Sequence, residues 1–474
     1  MSADIGMIGI GVMGAALALN LAENGFRVAI HDKDFDKMQA CADQAAGMKG
    51  AISLCETPDT LLASVRSPRA IILLVPAGRA VDAIIDEYRP LLSQGDLLID
   101  AGNANFHDTR RRSAALEGDG FAFLGLGISG GAEGARHGPA IMAGGSPDLW
   151  SRVEAPLKAI SARHGDTPCC DWFGPDGAGH FVKTIHNGIE YADMQMIAEA
   201  YGIMRDGMGH SAPDIAATFG AWNKGPLASF LIEITSQTLT VADEATGLPL
   251  IDVIQDRAGQ KGTGRWSAIE ALHLAAPAPA IEAAVGARGI SARKTERQRM
   301  EALFGSAPTP IGDALGTDGE ARAALESALI AGKIAAYAQG FEVFKAASVQ
   351  YAWGLDFAAI ARVWRAGCII RSVLLDDIAT ALAEAPELNL MATPFFADLM
   401  RTHQGGLRKV VAVAALHGIA APALSSALSY FDSYRTSRGT ANMIQIQRDF
   451  FGHHGFERTD RDGSGHHGPW AGGR

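Results

Sequence analysis

Four side chains that can transfer protons or bind a metal lie within eight residues of one another. They are Lys183, His186, Asn187 and Glu190: an amine, an imidazole, an amide and a carboxylate. Their spacing places all four on one face of an α-helix, with Lys183 and Glu190 about 10 Å apart along its axis. Such a face predicts chemistry on a small molecule that lies along the helix.

Two simpler interpretations of this face stay open. It could be a solvated helix face with a Lys–Glu pair, or a metal site of His186 and Glu190, although no third ligand lies nearby in sequence. Gly188 costs a helix about 1 kcal/mol, which is unusual on a plain solvated face. The same face continues through Met194 and Ala198, which predicts that it lines a buried cleft.

The helix needs a scaffold, and its other side supplies an apolar stripe for packing. The stripe comprises Phe181, Val182, Ile185, Ile189, Ala192 and Met196. Before this helix, strand-like and helix-like segments alternate, which predicts a mostly parallel sheet covered on both faces. The predicted strands are 5–10, 26–32, 70–75, 97–101, 121–128 and 140–145, and the predicted helices are 15–25, 80–92 and 148–160.

After residue 177 the strand signals nearly vanish and alanine-rich helical patterns follow one another. We therefore predict an α/β dinucleotide-binding (Rossmann-like) domain at 1–177 and a large all-α domain at 178–435. A polar, glycine- and histidine-rich C-terminal tail follows at 436–474. The tail is too polar to build its own core, so we expect it to be either disordered or docked on another surface. An adventitious metal-binding cluster of His453, His454, His466 and His467 stays open as an alternative.

A phosphate-binding loop follows the first predicted strand. The motif G-x-G-x-x-G spans Gly9, Ile10, Gly11, Val12, Met13 and Gly14. Glycines there permit a tight turn and close approach to a pyrophosphate, and the following helix N-terminus supplies free N–H groups. The second strand ends at Asp32-Lys33-Asp34, where an acidic side chain would meet the adenosine ribose.

Composition excludes some classes of protein. The 474 residues are 48% apolar and 20% charged, and the net charge of −11 argues against a nucleic-acid partner. No apolar run approaches the ~20 residues that span a bilayer, and no basic leader precedes the first strand, so we expect a soluble, cytoplasmic protein. The five cysteines lack metal-site spacing and fit a reducing compartment, although adjacent Cys169 and Cys170 leave a redox role open.

Further anion contacts are candidates in glycine-rich or basic strings. Residues 128–136 follow a sheet strand, and residues 260–266 carry Lys261 on a predicted loop. Residues 287–294 add three cations, beginning with Arg288. A single basic residue is more often a solvated charge, so these strings indicate an anion site only if several of them agree.

Taken together, the motifs resemble decarboxylating 6-phosphogluconate dehydrogenase. The matching strings are G-x-G-x-x-G at 9–14, IDAGNAN at 99–105, ISGGAEGARHGPAIMAGG at 128–145, GAGHFVKTIHNGIEYADMQMI at 177–197, QKGTGRW at 260–266 and QRDFFGHHGFER at 447–458. They occur in order and span nearly the whole chain.

The resemblance implies a reaction: 6-phospho-D-gluconate is oxidised by NADP⁺ and decarboxylated to D-ribulose 5-phosphate and CO₂, without a metal. It assigns Lys183 as general base and Glu190 as general acid. It assigns substrate contacts to Asn103, Ser129, Gly130, Gly131, His186, Asn187, Tyr191, Lys261 and Arg288. It also implies a homodimer in which Arg448 and His454 of the tail reach the substrate of the other subunit.

This chemistry requires opposite pKa shifts on one helix. Lys183 must be neutral to accept the C3 hydroxyl proton, so its pKa must fall from about 10.4. Glu190 must be protonated to deliver a proton to C1 of the enediol, so its pKa must rise.

The chain departs from its family in the cofactor site. Members that use NADP commonly carry an arginine after the second strand, whereas this chain has Asp32, Lys33 and Asp34. At Val75-Pro76-Ala77, Pro76 replaces a frequent lysine. NADP is the family default, but a carboxylate at 32 would repel a 2′-phosphate, so we expect NAD⁺ or dual use. Asn103 completes the expected cofactor site.

Two rival functions remain. One is another β-hydroxyacid dehydrogenase, similar to those acting on 3-hydroxyisobutyrate, but Glu190, Lys261, Arg288 and the tail favour a phosphorylated sugar acid. The other is a catalytically inactive nucleotide-binding homologue, which the presence of every expected chemical residue disfavours.

Overall fold

The computed structural model describes residues 2–260, 262–306 and 308–472. It divides into two compact units, Met1–Ala427 and Leu428–Arg474, which are described separately. Within the described residues, none of the helices is both long enough and apolar enough to cross a membrane.

The first unit begins with an eight-stranded sheet in the order β10-β7-β6-β5-β4-β1-β2-β3. Its strands are β1 Ile5–Ile8, β2 Val28–His31, β3 Ile52–Leu54, β4 Ala70–Leu73, β5 Leu97–Asp100, β6 Ala122–Ser129, β7 Ala140–Gly144 and β10 Cys170–Trp172, while β8 Arg163–His164 and β9 Thr167–Pro168 form a separate hairpin. Neighbouring strands are parallel except β6 and β7, which pair antiparallel. The order from β3 to β6 is that of a dinucleotide-binding fold, and the predicted α/β class is confirmed.

Helices alternate with these strands along the chain. They are α1 Val12–Glu23, α2 Phe35–Gln44, α3 Pro58–Ser64, α4 Arg79–Tyr88, α5 Phe106–Glu117, α6 Gly131–His137 and α7 Pro147–Ile160. Alternating strand residues feed two apolar clusters: Leu97 and Ile99 of β5 pack in one, and Leu98 packs in the other. Because successive side chains point to opposite faces of a strand, the sheet is buried on both sides.

The rest of the first unit is helical, as predicted. Its helices are α8 Ala178–Gly202, α9 Ala212–Trp222, α10 Phe230–Thr238, α11 Leu250–Val253, α12 Thr263–His273, α13 Pro279–Ser291, α14 Lys294–Phe304, α15 Asp318–Gln350, α16 Phe357–Val363, α17 Leu374–Glu384 and α18 Pro394–Leu416. Helix α19 Pro422–Tyr434 begins in the first unit and ends in the second. Shorter turns lie at Arg89–Leu91, Ile203–Gly207, Gly312–Leu315 and Leu390–Ala392. The domain boundaries at 177/178 and 435/436 stay predictions.

The second unit contains α20 Ala441–Gly452 and a short turn at Pro469–Gly472. Asp449 is its centre: the carboxylate is fully buried. It accepts hydrogen bonds from the backbone N–H of Gly455 and Gly468 at 3.0 and 2.9 Å. Trp470 Nε1 also donates to it, at 2.9 Å. A single buried carboxylate thus organises a tail that has little apolar core.

Candidate active site

Close backbone approach fixes α8 between the sheet and the helical region. A Cβ atom on Gly127 of β6 would lie 2.4 Å from Cβ of Lys183, and one on Gly188 would lie 2.6 Å from Cβ of Ser267 in α12. Real Cβ atoms do not approach so closely, so both positions require glycine. The helix cost of Gly188 therefore has a packing explanation: it lets α12 lie against α8.

The helix face carrying the polar residues is buried where the chemistry is expected. Lys183, His186 and Asn187 are 6%, 0% and 6% exposed. The buried stretch ends beyond Glu190, because Met194 is 40% exposed and Ala198 is also exposed. The expectation that the cleft continues along Met194 and Ala198 is therefore wrong: that part of the face turns towards solvent.

Lys183 is the centre of a polar cluster. Its Nζ donates to Asn187 Oδ1 at 2.7 Å and to Ser129 Oγ at 3.1 Å. It also lies 3.3 Å from Nδ1 of His186. Nε2 of His186 lies 3.4 Å from Ser129 Oγ. The structure thus joins three residues of one helix to Ser129 at the end of β6.

Glu190 joins this cluster through the imidazole. Its Oε2 lies 3.6 Å from Nδ1 of His186. Burial, together with the Lys183 ammonium, holds the pKa of His186 well below its usual range, so the ring is neutral. The contact is therefore no ion pair, and within the described residues His186 and Glu190 gain no third ligand for a metal.

Burial moves the two end groups in opposite directions. It lowers the pKa of Lys183, although the Glu190 carboxylate opposes the shift. It raises the pKa of Glu190, against the opposing charges of Lys183 and Arg288. These are the directions needed for an amine that accepts a proton and a carboxyl group that donates one.

A second polar contact joins α8 to α13. The Arg288 guanidinium lies 3.4 Å from the ring centre of Tyr191, a cation–π contact. Arg288 also donates to the Gly259 carbonyl at 3.2 Å. The structure thus brings two predicted substrate residues, Tyr191 and Arg288, together beside Glu190.

The phosphate loop has the form expected for a pyrophosphate. Gly9 has φ +93°, and a Cβ on Gly14 would lie 1.9 Å from the Gly9 carbonyl oxygen. No side chain caps the N-terminus of α1, and Val12 is 76% exposed, so backbone N–H groups are available to an anion. A dinucleotide therefore fits this loop, with Ile10 and Met13 beside it.

Asp32 and Asp34 have different surroundings. Asp32 accepts a hydrogen bond from the Ile10 backbone N–H at 2.6 Å, which ties β2 to the phosphate loop. Asp34 instead caps α2 by accepting from the backbone N–H of Lys37 at 3.4 Å, and pairs with that lysine's ammonium at 2.9 Å. Lys33 is exposed. Asp32 therefore lies beside the loop, and among the described residues no cation pairs with it within 4.0 Å.

The other predicted residues are distributed as follows. Gly130 and Gly131 have φ +104° and +64° at the start of α6. Asn103, Pro76 and Ala77 are exposed, and Val75 is half-buried with Cγ1 close to the Gly9 turn. Lys261 lies outside the described residues. Arg448 and His454 are exposed in the second unit, where Arg448 donates to Gln445 Oε1 at 3.1 Å.

Three residues near the cluster were not predicted from the sequence. The Trp364 ring packs edge-on against the His186 ring, with centroids 5.4 Å apart. Asp193 and Lys333 form a buried ion pair of 3.1 Å, and the Asp193 charge helps to raise the pKa of Glu190. The position of Asp193, three residues after Glu190 on the same helix, could have indicated that the two carboxyl groups are neighbours. The positions of Trp364 and Lys333 in the sequence gave no such indication.

Both parts of the chain match models of known protein families. The model of the NAD binding domain of 6-phosphogluconate dehydrogenase matches residues 4–174, and the model of the C-terminal domain of that enzyme matches residues 179–470. A Plasmodium falciparum 6-phosphogluconate dehydrogenase, solved without ligands, with its cofactor NADP⁺ and with its substrate 6-phosphogluconate, aligns with a TM-score of 0.94 at 37% identity. The alignment covers 98% of this chain and all of that one.

Two curated Bacillus subtilis relatives differ in cofactor. The NADP⁺-dependent decarboxylating 6-phosphogluconate dehydrogenase is 46% identical over 98% of both chains. The NAD⁺-dependent one is 44% identical, also over 98% of both chains. Such similar identities support a nicotinamide dinucleotide without deciding which one.

Proposed function

This chain belongs to the 6-phosphogluconate dehydrogenase family, and from that premise we propose that it converts 6-phospho-D-gluconate to D-ribulose 5-phosphate and CO₂ with reduction of a nicotinamide dinucleotide. The observation that carries the proposal is the buried face of α8, on which an amine and a carboxyl group have opposite pKa shifts. A β-hydroxyacid dehydrogenase of the 3-hydroxyisobutyrate type would not need the second group.

Lys183 is the general base. The amine accepts the C3 hydroxyl proton while C3 is oxidised, and burial favours the neutral form that this step needs. Asn187 and Ser129 hold Nζ in place. The ammonium formed then stabilises the enolate that develops as the β-keto acid loses CO₂.

Glu190 is the general acid. After CO₂ leaves, the enediol needs a proton at C1, and a protonated Glu190 can deliver it because burial raises its pKa. Asp193, close by on the same helix, favours the protonated form.

The remaining polar groups bind the substrate. Ser129, His186 and Asn187 surround the amine, and Arg288 supplies a cation beside Tyr191. We assign the same role to Asn103, Gly130, Gly131 and Lys261 by family resemblance. A phosphorylated sugar acid carries two anionic groups, which explains the need for more than one cation.

The chain's own residues hold the cofactor. The loop Gly9–Gly14 and the N-terminus of α1 accommodate the pyrophosphate, and Val75 lies beside Gly9 of that loop. We assign Pro76 and Ala77 to the cofactor site by family resemblance. When bound, the nicotinamide supplies the hydride acceptor. Asp32 can accept hydrogen bonds from the ribose hydroxyls of NAD⁺ but repels a 2′-phosphate, so we propose NAD⁺ or dual use.

The two roles on α8 can be tested separately. Lys183→Ala should abolish oxidation while 6-phosphogluconate still binds, since general bases contribute about 10²–10⁴-fold. Glu190→Gln should disturb protonation: in D₂O the wild type should place deuterium stereospecifically at C1 of ribulose 5-phosphate, and the variant should lose that selectivity. Near wild-type turnover of Lys183→Ala, or retained selectivity in Glu190→Gln, would refute the respective role.

We also propose that the protein is a homodimer whose tail completes the neighbouring site. The tail carries exposed apolar side chains along α20, including Met443, Ile444 and Phe451 at 60%, 60% and 67% exposure. An exposed apolar face on a segment with little core is suited to burial against a partner. Arg448 and His454 would then reach the substrate phosphate, which a guanidinium binds well.

Subunit mixing tests this arrangement. An inactive Lys183→Ala chain mixed with an inactive Arg448→Ala chain should regain about a quarter of wild-type activity, because half the dimers are mixed and each has one intact site. A mixture of Lys183→Ala with Glu190→Gln is the control, since both residues belong to the same helix and no intact site can form. No recovery in the first mixture, despite verified exchange, would mean that the tail does not act across the dimer.

A further inference from the structure

Three metal-binding side chains converge away from the Lys183 cluster. His107 lies in the first turn of α5, and Glu270 and His273 lie on α12. Nε2 of His107 is 2.9 Å from Glu270 Oε1, and Nδ1 of His273 is 3.7 Å from the same oxygen. One ligand atom from each lies within 4.8 Å of the others, the only such group of three in residues 2–260, 262–306 and 308–472.

The local structure holds these side chains in place. Asn105 caps α5 by accepting the backbone N–H of His107 at 2.9 Å. The His107 ring packs on Phe106, with ring centres 4.0 Å apart. Glu270 and His273 are three residues apart, so α12 presents them on one face. The group is thus built from two helices and does not depend on a loose loop.

Glu270 is left incompletely satisfied by the protein alone. Its side chain is 3% exposed, and Oε2 has no hydrogen-bond partner among the described residues. A simple hydrogen bond between His107 and Glu270 satisfies only Oε1, whereas a buried carboxylate oxygen without a partner is costly. A bound cation would neutralise the carboxylate. The histidine side chains are 47% and 65% exposed, so an ion can enter from solvent.

We propose that His107, Glu270 and His273 form a binding site for a divalent transition-metal ion of the Zn²⁺ class. Two imidazoles and one carboxylate are a donor set that Zn²⁺ and Co²⁺ prefer, with water as the fourth ligand. Mg²⁺ and Ca²⁺ need six or more oxygen ligands and do not fit. Ligands around tetrahedral zinc lie roughly 3.4 Å apart, so small side-chain rotations suffice.

The site joins two segments that lead from the proposed substrate site. Helix α5 follows the loop that carries Asn103, and α12 begins at Thr263, two residues after Lys261. A metal between them would link the nucleotide-binding part of the chain to the helical part. The metal is separate from the α8 chemistry, and its binding does not depend on the proposed reaction.

Titration of the full-length, metal-free protein with Co²⁺ tests the site. We expect one ion per chain, with the visible absorption bands of cobalt in a low-coordinate nitrogen–oxygen site, and displacement of those bands by Zn²⁺. His107→Ala, Glu270→Gln and His273→Ala should each weaken Co²⁺ binding about tenfold or more. Loss of a group that only hydrogen-bonds to a metal ligand already has an effect of about that size, and loss of the ligand itself should have at least as large a one. Unchanged circular dichroism of Glu270→Gln, which keeps the side-chain size, assigns its loss to the carboxylate.

Two control variants separate this site from other histidines. His164→Ala removes an exposed histidine 3.3 Å from Asp376 that has no third ligand among the described residues, and should bind normally. The double variant His453→Ala/His467→Ala removes two of the four tail histidines, whose rings lie 5.8 Å apart, and should also retain the cobalt bands. Absence of stoichiometric binding, its persistence in Glu270→Gln and His273→Ala, or its loss in either control would overturn the proposal.

Discussion

Replacing Asp32 by asparagine should shift the cofactor preference towards NADP⁺. The carboxylate lies at the end of β2 and accepts the Ile10 backbone N–H at 2.6 Å, so it adjoins the loop that holds the pyrophosphate. Asparagine removes the charge and keeps one acceptor oxygen for that bond, but it loses the second oxygen, which accepts from the backbone N–H of Asp34 at 3.0 Å. The substitution therefore tests electrostatic repulsion while the bond between β2 and the phosphate loop is retained.

The magnitude follows from Coulomb's law. Two unit charges about 5 Å apart repel by about 0.8 kcal/mol in a water-like dielectric, and more where solvent is partly excluded. A 2′-phosphate carries nearly two negative charges, so Asp32 should cost NADP⁺ about 1.7 kcal/mol or more. That energy corresponds to at least about tenfold in relative kcat/KM.

The assay compares kcat/KM for NADP⁺ and NAD⁺ with 6-phosphogluconate at fixed ionic strength. The NADP⁺/NAD⁺ ratio should rise at least about tenfold in Asp32→Asn, and the rise should shrink in high salt. Asp34→Asn is the matched control, because that carboxylate caps α2 and pairs with Lys37, and its ratio should stay within about threefold of wild type. An unchanged ratio in Asp32→Asn, or a wild type that prefers NADP⁺ a hundredfold, would contradict a role of the Asp32 charge in cofactor choice.

Two further predictions concern the scaffold. Gly127→Ala should lower kcat/KM about a hundredfold, because the new Cβ would lie 2.4 Å from Cβ of Lys183 and displace the amine. The control Gly286→Ala, whose new Cβ meets no atom within 4 Å, should leave kcat/KM unchanged. Equal kinetics of the two variants would contradict the packing of Gly127 against Lys183. Burial raises the pKa of Glu199 to about 7 although the N–H groups of α19 donate to it. The folded chain therefore holds this proton more tightly than the unfolded chain, and stability is lost as pH rises through the folded pKa, by about 3 kcal/mol at pH 8. In urea unfolding, the stability of wild type relative to Glu199→Gln should fall between pH 5 and pH 8, and a constant difference would contradict this assignment.

Much of the fold could be predicted because its periodicities are local. All six predicted strands correspond to β1, β2, β4, β5, β6 and β7. The edge strands β3 and β10 were missed because each has three residues, too few for a pattern of alternation. The tail was expected to lack a core, and its order around the buried Asp449 depends on hydrogen bonds that no periodicity records.

In the candidate site, too, local features could be predicted from the sequence and contacts between distant residues could not. The polar face of α8 follows from spacing within eight residues, and its burial at Lys183 agrees with the cleft expected there. The outward turn at Met194 could not be predicted, because it depends on where distant helices stop packing. The contact between Trp364 and His186 joins residues far apart in the chain, and one sequence without relatives carries no signal for it.

The proposed function requires that this chain couples oxidation at C3 of 6-phosphogluconate to loss of C1. Its most direct test supplies the purified protein with 6-phospho-D-gluconate labelled at C1 with ¹⁴C and with each dinucleotide in turn. We expect labelled CO₂ and reduced dinucleotide to appear in equal amounts, and both to be lost in Lys183→Ala. Reduced dinucleotide without labelled CO₂, or neither product with either dinucleotide, would contradict it.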